Sequence, residues 1–247
     1  MPQYQRLSYF NTTSSIAKTL LSSAVAPYQV ADWYARIFAR VKLRIDPAFV
    51  TILKQGLVPD GARLLDLGCG QGLLASILFA AREMHREGCW PEAWPAPPTL
   101  GAFHGIDSVP LDIERAKRAL HRRASFEVAD ISHKEFEQSD VIVILDVLHY
   151  MDYQAQEDVL RRVSQALPAG GRLILRVGDA DGGFWFKCSY WYDRTIWFLR
   201  VHQDNPLFCR PLHDWLTLLE SLGLSTRMVP LDHGISLANA LLVSTRT

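Results

Sequence analysis

Residues 64–72 read Leu64-Leu65-Asp66-Leu67-Gly68-Cys69-Gly70-Gln71-Gly72, and they carry the strongest indication of the fold. The stretch begins with a short, nearly continuous apolar run, which is typical of a strand buried on both faces. Three glycines at alternate positions follow, and they let the backbone turn sharply and approach a ligand closely. A helical pattern begins at Leu73, so the free amides of that helix point towards the turn. We interpret the stretch as a strand, a ligand-binding turn and a helix start.

The acid at position 66 indicates which charge a ligand of the glycine-rich turn carries. Many nucleotide-binding folds share a glycine-rich turn after a strand, and in dinucleotide enzymes that turn faces a pyrophosphate. A carboxylate at Asp66 would repel a pyrophosphate, whereas it would attract an ammonium or a sulfonium group. The pattern therefore favours a cationic ligand. The structural alternative is a tight turn that binds nothing.

Strand and helix patterns alternate on both sides of this stretch. Besides the strand at 63–67, the sequence predicts strands at 102–106, 125–128, 141–145, 172–177, 225–229 and 240–244. Helical patterns between them cover 73–86, 111–122, 154–167 and 211–222. This rhythm predicts an α/β fold with a doubly wound, mostly parallel sheet of seven strands.

The rest of the chain is predicted to add a helical cap. Residues 1–58 read as helical, with an apolar stripe at Val30, Trp33, Ile37, Val41 and Ile45. Residues 59–247 would form the main domain, interrupted by two unusual segments. Residues 88–101 contain four prolines and are predicted to be an irregular surface loop. Residues 180–210 are predicted to be an aromatic-rich insertion that joins the cap.

Further acids stand where later strands end. Asp107 ends the second strand, Asp130 follows the third, and Asp146 follows the fourth. Ligands of open parallel sheets bind at the carboxyl ends of the strands, so we expect these acids at one edge. Asp107 is placed to accept hydrogen bonds from two ribose hydroxyls, and Asp130 to accept one from an adenine amine. The structural alternatives are a helix cap for Asp107, a solvated turn acid for Asp130 and an ordinary strand end for Asp146.

Taken together, these elements resemble the class I S-adenosylmethionine-dependent methyltransferases. LLDLGCGQG matches the first motif of that family, and HGID, VADI, DVIVILDVLHYM and LPAGGRLIL match later elements in order, over about residues 60–178. The resemblance implies a Rossmann-like methyltransferase fold, S-adenosyl-L-methionine as cofactor and S-adenosyl-L-homocysteine as product. It implies a cofactor site made of Asp66, Gly68, Cys69, Gly70, Gly72, Asp107, Ser108, Asp130, Ile131, Asp146 and Val147.

Within that resemblance each part of the cofactor has its own contacts. Asp66 would lie near the methionine ammonium and Asp107 would hold the ribose. Asp130 with Ile131 would frame the adenine. Asp146 and Val147 would border the methionine portion.

Two residues after the fourth strand are candidates for proton transfer. His149 has an ordinary pKa of about 6.5, which suits a general base near neutrality, and Tyr150 is its neighbour. The alternative is a histidine that packs the floor of the cofactor pocket. The other histidines are dispersed, and the Asp-Asn pair of metal-dependent catechol methyltransferases is absent, so no metal site is predicted.

An aromatic block points to the substrate. Residues 184–198 hold eight aromatics in fifteen positions. Four of them, Phe184, Trp185, Tyr190 and Trp191, are predicted to line a pocket for a small aromatic or hydrophobic molecule. The alternatives are a hydrophobic cap on the amino-terminal helices, or an apolar surface for a partner or an acyl carrier.

Composition excludes several classes of protein. The 247 residues carry 26 basic and 26 acidic side chains, so no general attraction to nucleic acid or to an anionic membrane is expected, although a local basic patch remains possible. No apolar run is long enough for a membrane span, and four scattered cysteines without a signal sequence indicate a cytoplasmic protein. The remaining alternatives are a non-catalytic cofactor-binding regulatory or assembly protein, and a nicotinamide enzyme. Oligomeric state is not predicted.

Overall fold

A seven-stranded sheet forms the centre of the molecule. The computed structural model describes residues 16–181, 206–231 and 239–247. The strands are β1 (Arg63–Leu67), β2 (Ala102–Asp107), β3 (Ser125–Val128), β4 (Val141–Leu145), β5 (Arg172–Gly178), β6 (Leu224–Val229) and β7 (Asn239–Arg246). All seven predicted strands are thus present: β1, β3 and β4 have the predicted bounds, and the other four differ by at most two residues at an end.

The order of the strands places a binding crevice beside β1. The sheet runs β3-β2-β1-β4-β5-β7-β6, with β7 antiparallel to both of its neighbours and the other pairs parallel. The chain moves outwards from β1 in one direction and then resumes at β4 on the other side. Such a reversal opens a crevice at the carboxyl ends of the strands. The predicted doubly wound, mostly parallel fold is confirmed.

Helices cover both faces of this sheet. They are α1 (residues 16–25), α2 (Trp33–Ile45), α3 (Pro47–Lys54), α4 (Leu73–Arg86), α5 (Pro110–Leu120), α6 (Tyr153–Ala166) and α7 (Leu212–Ser221). One buried cluster joins α1 to α5 with one face of the sheet, and a second joins α6 and α7 with the other face. The apolar residues of β1 and β4 contribute to both clusters, which explains why their sequences are nearly continuous in hydrophobicity.

The amino-terminal helices pack directly against the glycine-rich turn. Tyr28, which is fully buried, donates a hydrogen bond from its hydroxyl to the carbonyl of Gln71 at 2.8 Å. Ser76 in α4 donates to the carbonyl of Ala24 at 2.6 Å. These bonds hold the segment around residues 24–28 against the turn that follows β1 and the start of α4. The division into a cap of residues 1–58 and a main domain of 59–247 stays a prediction.

The apolar stripe on α2 faces outwards. The buried side of this helix consists of Ala35, Ala39 and Leu43, whereas the stripe from Val30 to Ile45 is exposed. The predicted helix is present, and two of its three core-facing residues are alanines.

The proline-rich segment folds as an irregular loop. No helix or strand occurs between residues 88 and 101. Trp90 and Trp94 pack edge to face with ring centroids 5.4 Å apart, and Lys54 lies over the Trp94 ring. Within the described ranges, no helix combines the length and the apolarity that a bilayer crossing demands.

Candidate active site

A cleft of about 780 Å³ opens at the carboxyl ends of the central strands. Most of its lining comes from the turns that follow β1, β2, β3 and β4; residues of α2, α3, α4, α6 and β5 complete it, among them Phe38, Lys42 and Arg176. The volume is typical of a site for a small molecule or cofactor. It lies at the reversal point of the sheet, where the fold positions a ligand.

Most of the predicted site residues meet in this cleft. Those that line it are Asp66, Gly68, Cys69, Gly70, Asp107, Ser108, Asp130, Ile131, Asp146, Val147 and Tyr150. Gly72 and His149 are not among the lining residues. Gly72 stands before the first residue of α4 with a φ of 74°. The predicted substrate residues Phe184, Trp185, Tyr190 and Trp191, with most of the 180–210 insertion, lie outside the described residues.

Asp107 is held rigidly at the end of β2. Its Oδ2 accepts from the Gly70 amide at 2.8 Å, and its Oδ1 accepts from the Val109 amide at 2.9 Å. The second bond is made to the residue that precedes α5, so Asp107 also stabilises the start of this helix, as the structural alternative predicted. Each carboxylate oxygen keeps further acceptor capacity, which two hydroxyls of a ligand would use.

Asp66 is a buried acid whose charge is unfavourable without a ligand. Its side chain lies on β1 beside the cleft and is only 4% exposed. Burial, with the nearby charge of Asp107, raises the pKa of Asp66 to about 8. A cation placed against this carboxyl group would lower the pKa again. The site therefore suits a positively charged group at this point.

Asp130 lies at the opposite, more exposed part of the cleft. Its Oδ1 accepts from the Ser132 amide at 2.9 Å and from the Ser132 hydroxyl at 2.7 Å. Although partial burial opposes the effect, these bonds hold the pKa of Asp130 below its usual value. Asp130 thus orders its own turn while it lines the cleft, and its predicted contact with adenine stays a prediction.

A cluster of four charges lies at one wall of the cleft, which Lys42, Asp146 and Arg176 line, whereas Asp46 is buried behind them. Arg176 of β5 donates to Asp46 and Asp146, with 2.6 Å from Nη2 to Asp46 Oδ2 and 2.6 Å from Nε to Asp146 Oδ1. Lys42 lies 2.9 Å from Asp46 and 3.4 Å from Asp146. Burial opposes charge in every member, but the opposite charges prevail and lower the pKa of both carboxyl groups.

Sequence reasoning missed three members of this cluster, namely Lys42, Asp46 and Arg176. The predicted member, Asp146, adopts a φ of 59°, a left-handed conformation that is uncommon outside glycine. One signal was available: Arg176 interrupts the otherwise apolar strand LILRVG, and a buried strand accommodates a charge only with partners. Its partners were not identifiable, since Asp46 lies 130 residues away in the sequence.

Lys42 is the cation that the cleft offers to a ligand. Its side chain is 30% exposed, compared with 4% for Arg176, the other lysine or arginine among the described lining residues. Burial alone would lower the pKa of Lys42, but Asp146 and Asp46 raise it, so the ammonium stays charged.

His149 lies behind the cleft. The side chain is 8% exposed, and its ring packs on Tyr150 with centroids 4.2 Å apart. Burial lowers the pKa of His149 to about 4, so the imidazole is neutral near neutrality. Its buried Nε2 has no hydrogen-bond partner among the described residues. Tyr150, in contrast, reaches the cleft. The catalytic roles of both residues stay predictions.

The described ranges contain no group of three or more histidine, cysteine, aspartate or glutamate side chains arranged to hold a metal ion.

Comparisons with known proteins agree with this geometry. A family model described as a methyltransferase domain matches residues 65–173. The carboxy-S-adenosyl-L-methionine synthase of Cronobacter sakazakii is 25% identical over 173 residues, which are 64% of each chain. The trans-aconitate 2-methyltransferase of Pseudomonas paraeruginosa is 30% identical over 151 residues, which are 61% of this chain and 47% of that one. The chain thus spans less than two thirds of either relative.

A solved structure shares the fold. Magnesium protoporphyrin IX methyltransferase from Synechocystis PCC 6803, crystallised with bound SAH, superposes with a TM-score of 0.56. The match covers 87% of this chain and 88% of that one at 16% sequence identity. At this identity the likeness concerns the fold.

Proposed function

We propose that the chain is a class I S-adenosylmethionine-dependent methyltransferase, which transfers a methyl group from S-adenosylmethionine to an O, N or C atom of a small molecule. The observation that carries the proposal is the meeting of the glycine turn, Asp66 and Asp107 in one cleft at the reversal point of the sheet. We further propose that the acceptor is aromatic or hydrophobic, either free or bound to a carrier.

The charges along the cleft match the parts of the cofactor. Asp66 would face the methionine ammonium and Lys42 its carboxylate. Asp107 would hold the ribose hydroxyls, and Asp130 with Ile131 would frame the adenine. The fit rests on the buried acid at position 66, whose pKa of about 8 indicates a carboxyl group that lacks a cationic partner.

The main tasks of the protein are to align the two reactants and to exclude water from the site. When bound, S-adenosylmethionine supplies an electrophilic methyl group on a sulfonium. Asp146 and Val147 would border the methionine portion from the end of β4. The paired Asp46 and Arg176 behind them fix the position of Asp146. Alignment of two reactants accounts for up to about 7–11 kcal/mol in favourable cases, so no dedicated nucleophile is required.

The acid at position 66 predicts a pH-dependent affinity. Below its pKa of about 8, Asp66 is protonated in the free protein and must lose that proton to face an ammonium. The affinity for S-adenosylhomocysteine should therefore rise about tenfold per pH unit between about pH 6 and pH 7.5. Titration calorimetry at several pH values measures it. Methylthioadenosine, which lacks the amino-acid part, is the control and should bind with little dependence on pH. A flat profile for both ligands would contradict the assignment.

The ribose contact predicts the effect of Asp107→Ala. This variant should weaken the binding of S-adenosylhomocysteine by about 1–3 kcal/mol, or about 5- to 150-fold, since two hydroxyls lose a charged acceptor. Glu114→Ala removes an exposed acid of α5 outside the cleft and should leave the affinity unchanged. Equal affinities for the Asp107 variant and the unaltered protein would remove Asp107 from the site.

Proton removal from the acceptor would fall to Tyr150, positioned by His149. Tyr150→Phe should lower kcat about 100-fold or more, since general bases contribute about 100-fold or more to the rate. Its affinity for S-adenosylhomocysteine should stay within about twofold, since the phenyl ring keeps the packing. His149→Gln should lower kcat less. An unchanged kcat in both variants would show that the site works by alignment alone.

A methyl-transfer assay tests the function. Labelled S-adenosylmethionine is offered with phenols, aromatic acids, acyl thioesters and amines, and the cofactor product is identified by mass. Label in an acceptor together with S-adenosylhomocysteine supports the proposal. Cofactor binding without turnover on any acceptor favours the alternative, a non-catalytic regulatory or assembly protein. A carboxylated cofactor as product would instead indicate the activity for which several relatives are named.

A further inference from the structure

Helix α2, together with Val30 in the turn before it, carries an apolar stripe on the side that faces away from the described core. The stripe of Val30, Trp33, Ile37, Val41 and Ile45 is between 37% and 74% exposed. Single exposed apolar residues are ordinary on a protein surface, but a continuous stripe along one helix indicates a contact surface. The opposite side of α2 already packs on the core through Ala35, Ala39 and Leu43.

A row of positive charge runs beside this stripe. Arg36, Arg40 and Arg44 are all exposed and follow one another at intervals of four residues, which places them along one side of the helix. No acid occurs between residues 33 and 45. The acids at the two ends of α2 are already engaged: Asp32 with Arg115, and Asp46 with Arg176 and Lys42. Among the described residues, none forms an ion pair with the three arginines.

Aromatic side chains connect this surface with the cleft. Trp33 and Tyr34 meet edge to face with centroids 6.3 Å apart, and Tyr34 stacks on Phe38 at 6.1 Å. Phe38 lines the cleft. The exposed stripe and the wall of the cleft are therefore neighbouring parts of one helix.

We propose that this surface docks on an anionic lipid bilayer. We call it the α2 surface; it consists of Val30 in the turn before α2 and, on α2 itself, of Trp33, Ile37, Val41, Ile45 and the arginines Arg36, Arg40 and Arg44. A helix with an apolar face and flanking arginines lies in the plane of a bilayer, with its apolar side at the boundary between headgroups and acyl chains. The arginines would meet lipid phosphates, and the Trp33 indole suits the interface.

The neutral net charge of the chain is compatible with this docking. The potential of an anionic bilayer acts within a Debye length of about 8–10 Å, so local charges matter rather than the sum. A protein partner or a second copy would also cover the apolar stripe. A row of three arginines without acidic neighbours on the helix favours an anionic surface. The inference is independent of the proposed methyl transfer.

Vesicle sedimentation tests the proposal with the full chain. We expect binding to vesicles of phosphatidylcholine with about 30% phosphatidylglycerol, and much weaker binding to pure phosphatidylcholine. Replacing Arg36, Arg40 and Arg44 by glutamine should lower the partition coefficient on anionic vesicles at least about tenfold. Ile37→Ser with Val41→Ser should lower it as well, because apolar burial contributes to such binding.

A matched control removes the same charge elsewhere. Arg86, Arg118 and Arg161 are exposed and belong to other helices, and their replacement by glutamine should leave the partition coefficient within about twofold. Circular dichroism verifies that each variant is folded. Equal losses in the two triple variants, or no binding of the unaltered protein to anionic vesicles, would overturn the proposal. So would a dimer that Ile37→Ser dissociates while vesicle binding is absent.

Discussion

Replacing Arg176 by methionine should lower the free energy of unfolding by about 3–5 kcal/mol, because it leaves two buried carboxylates without their main partner. Arg176 is 3% exposed and donates to both Asp46 and Asp146. Lys42 alone cannot compensate two buried charges. Chemical denaturation of the variant and of the unaltered protein measures the difference.

An exposed ion pair provides the control for this prediction. Arg63 pairs with Asp140 at the surface, and Arg63→Met should cost less than about 1 kcal/mol. Adding Asp46→Asn and Asp146→Asn to Arg176→Met should recover part of the stability, since no unpaired charge then remains. An equal cost for the Arg176 and Arg63 variants would show that the buried cluster contributes nothing special.

The cluster also gives stability a pH dependence. Its arginine and lysine hold the pKa of Asp46 and Asp146 below the ordinary carboxyl value. The stabilisation is therefore complete above about pH 4 and is lost as the pH falls below it, where the unfolded chain takes up protons first. In the triple variant this acid-sensitive contribution should be absent.

The second large effect is expected for Gly68→Ala, which should weaken the binding of S-adenosylhomocysteine by about 100-fold or more. Gly68 has a φ of 76°, where an alanine costs about 1–2 kcal/mol. In addition, the new Cβ would lie 2.2 Å from Cγ2 of Val147, so the turn or the Val147 side chain must move. Both line the cleft, and calorimetry reports the loss.

A variant at a second glycine distinguishes the effect of backbone strain from that of the contact with Val147. Gly61 has the same φ of 76°, but a Cβ there meets nothing within 4 Å. Gly61→Ala should therefore cost a little stability and leave the affinity unchanged. Gly68→Ala combined with Val147→Ala removes the colliding methyl groups and should restore part of the binding. If the two glycine variants bind equally well, the close approach at position 68 has no role in the site.

The parts of the structure that sequence predicts are those whose causes are local. β1 and β4 are apolar runs because they are buried on both faces, so their bounds follow from composition. The meeting of Asp66, Asp107 and Asp130 follows from parallel strands ending at one edge. The glycines mark the turn because three of them adopt positive φ.

The parts that sequence does not predict depend on which distant residues meet. The pairing of Arg176 with Asp46 joins β5 to the end of α2, and no periodicity encodes it. The orientation of α2 was equally hidden. Its larger apolar residues mark the helix, but the small side chains of Ala35 and Ala39 allow the closer approach to the core. Burial of His149 behind Tyr150 likewise depends on tertiary packing.

We expect the cleft to bind S-adenosylmethionine through the acids at the ends of the strands. Calorimetric titration of the folded protein with S-adenosylhomocysteine, and separately with NAD, measures this binding. The expected result is saturable binding of S-adenosylhomocysteine at one site and no binding of NAD. A folded protein that fails to bind S-adenosylhomocysteine, or that binds NAD in its place, would contradict it.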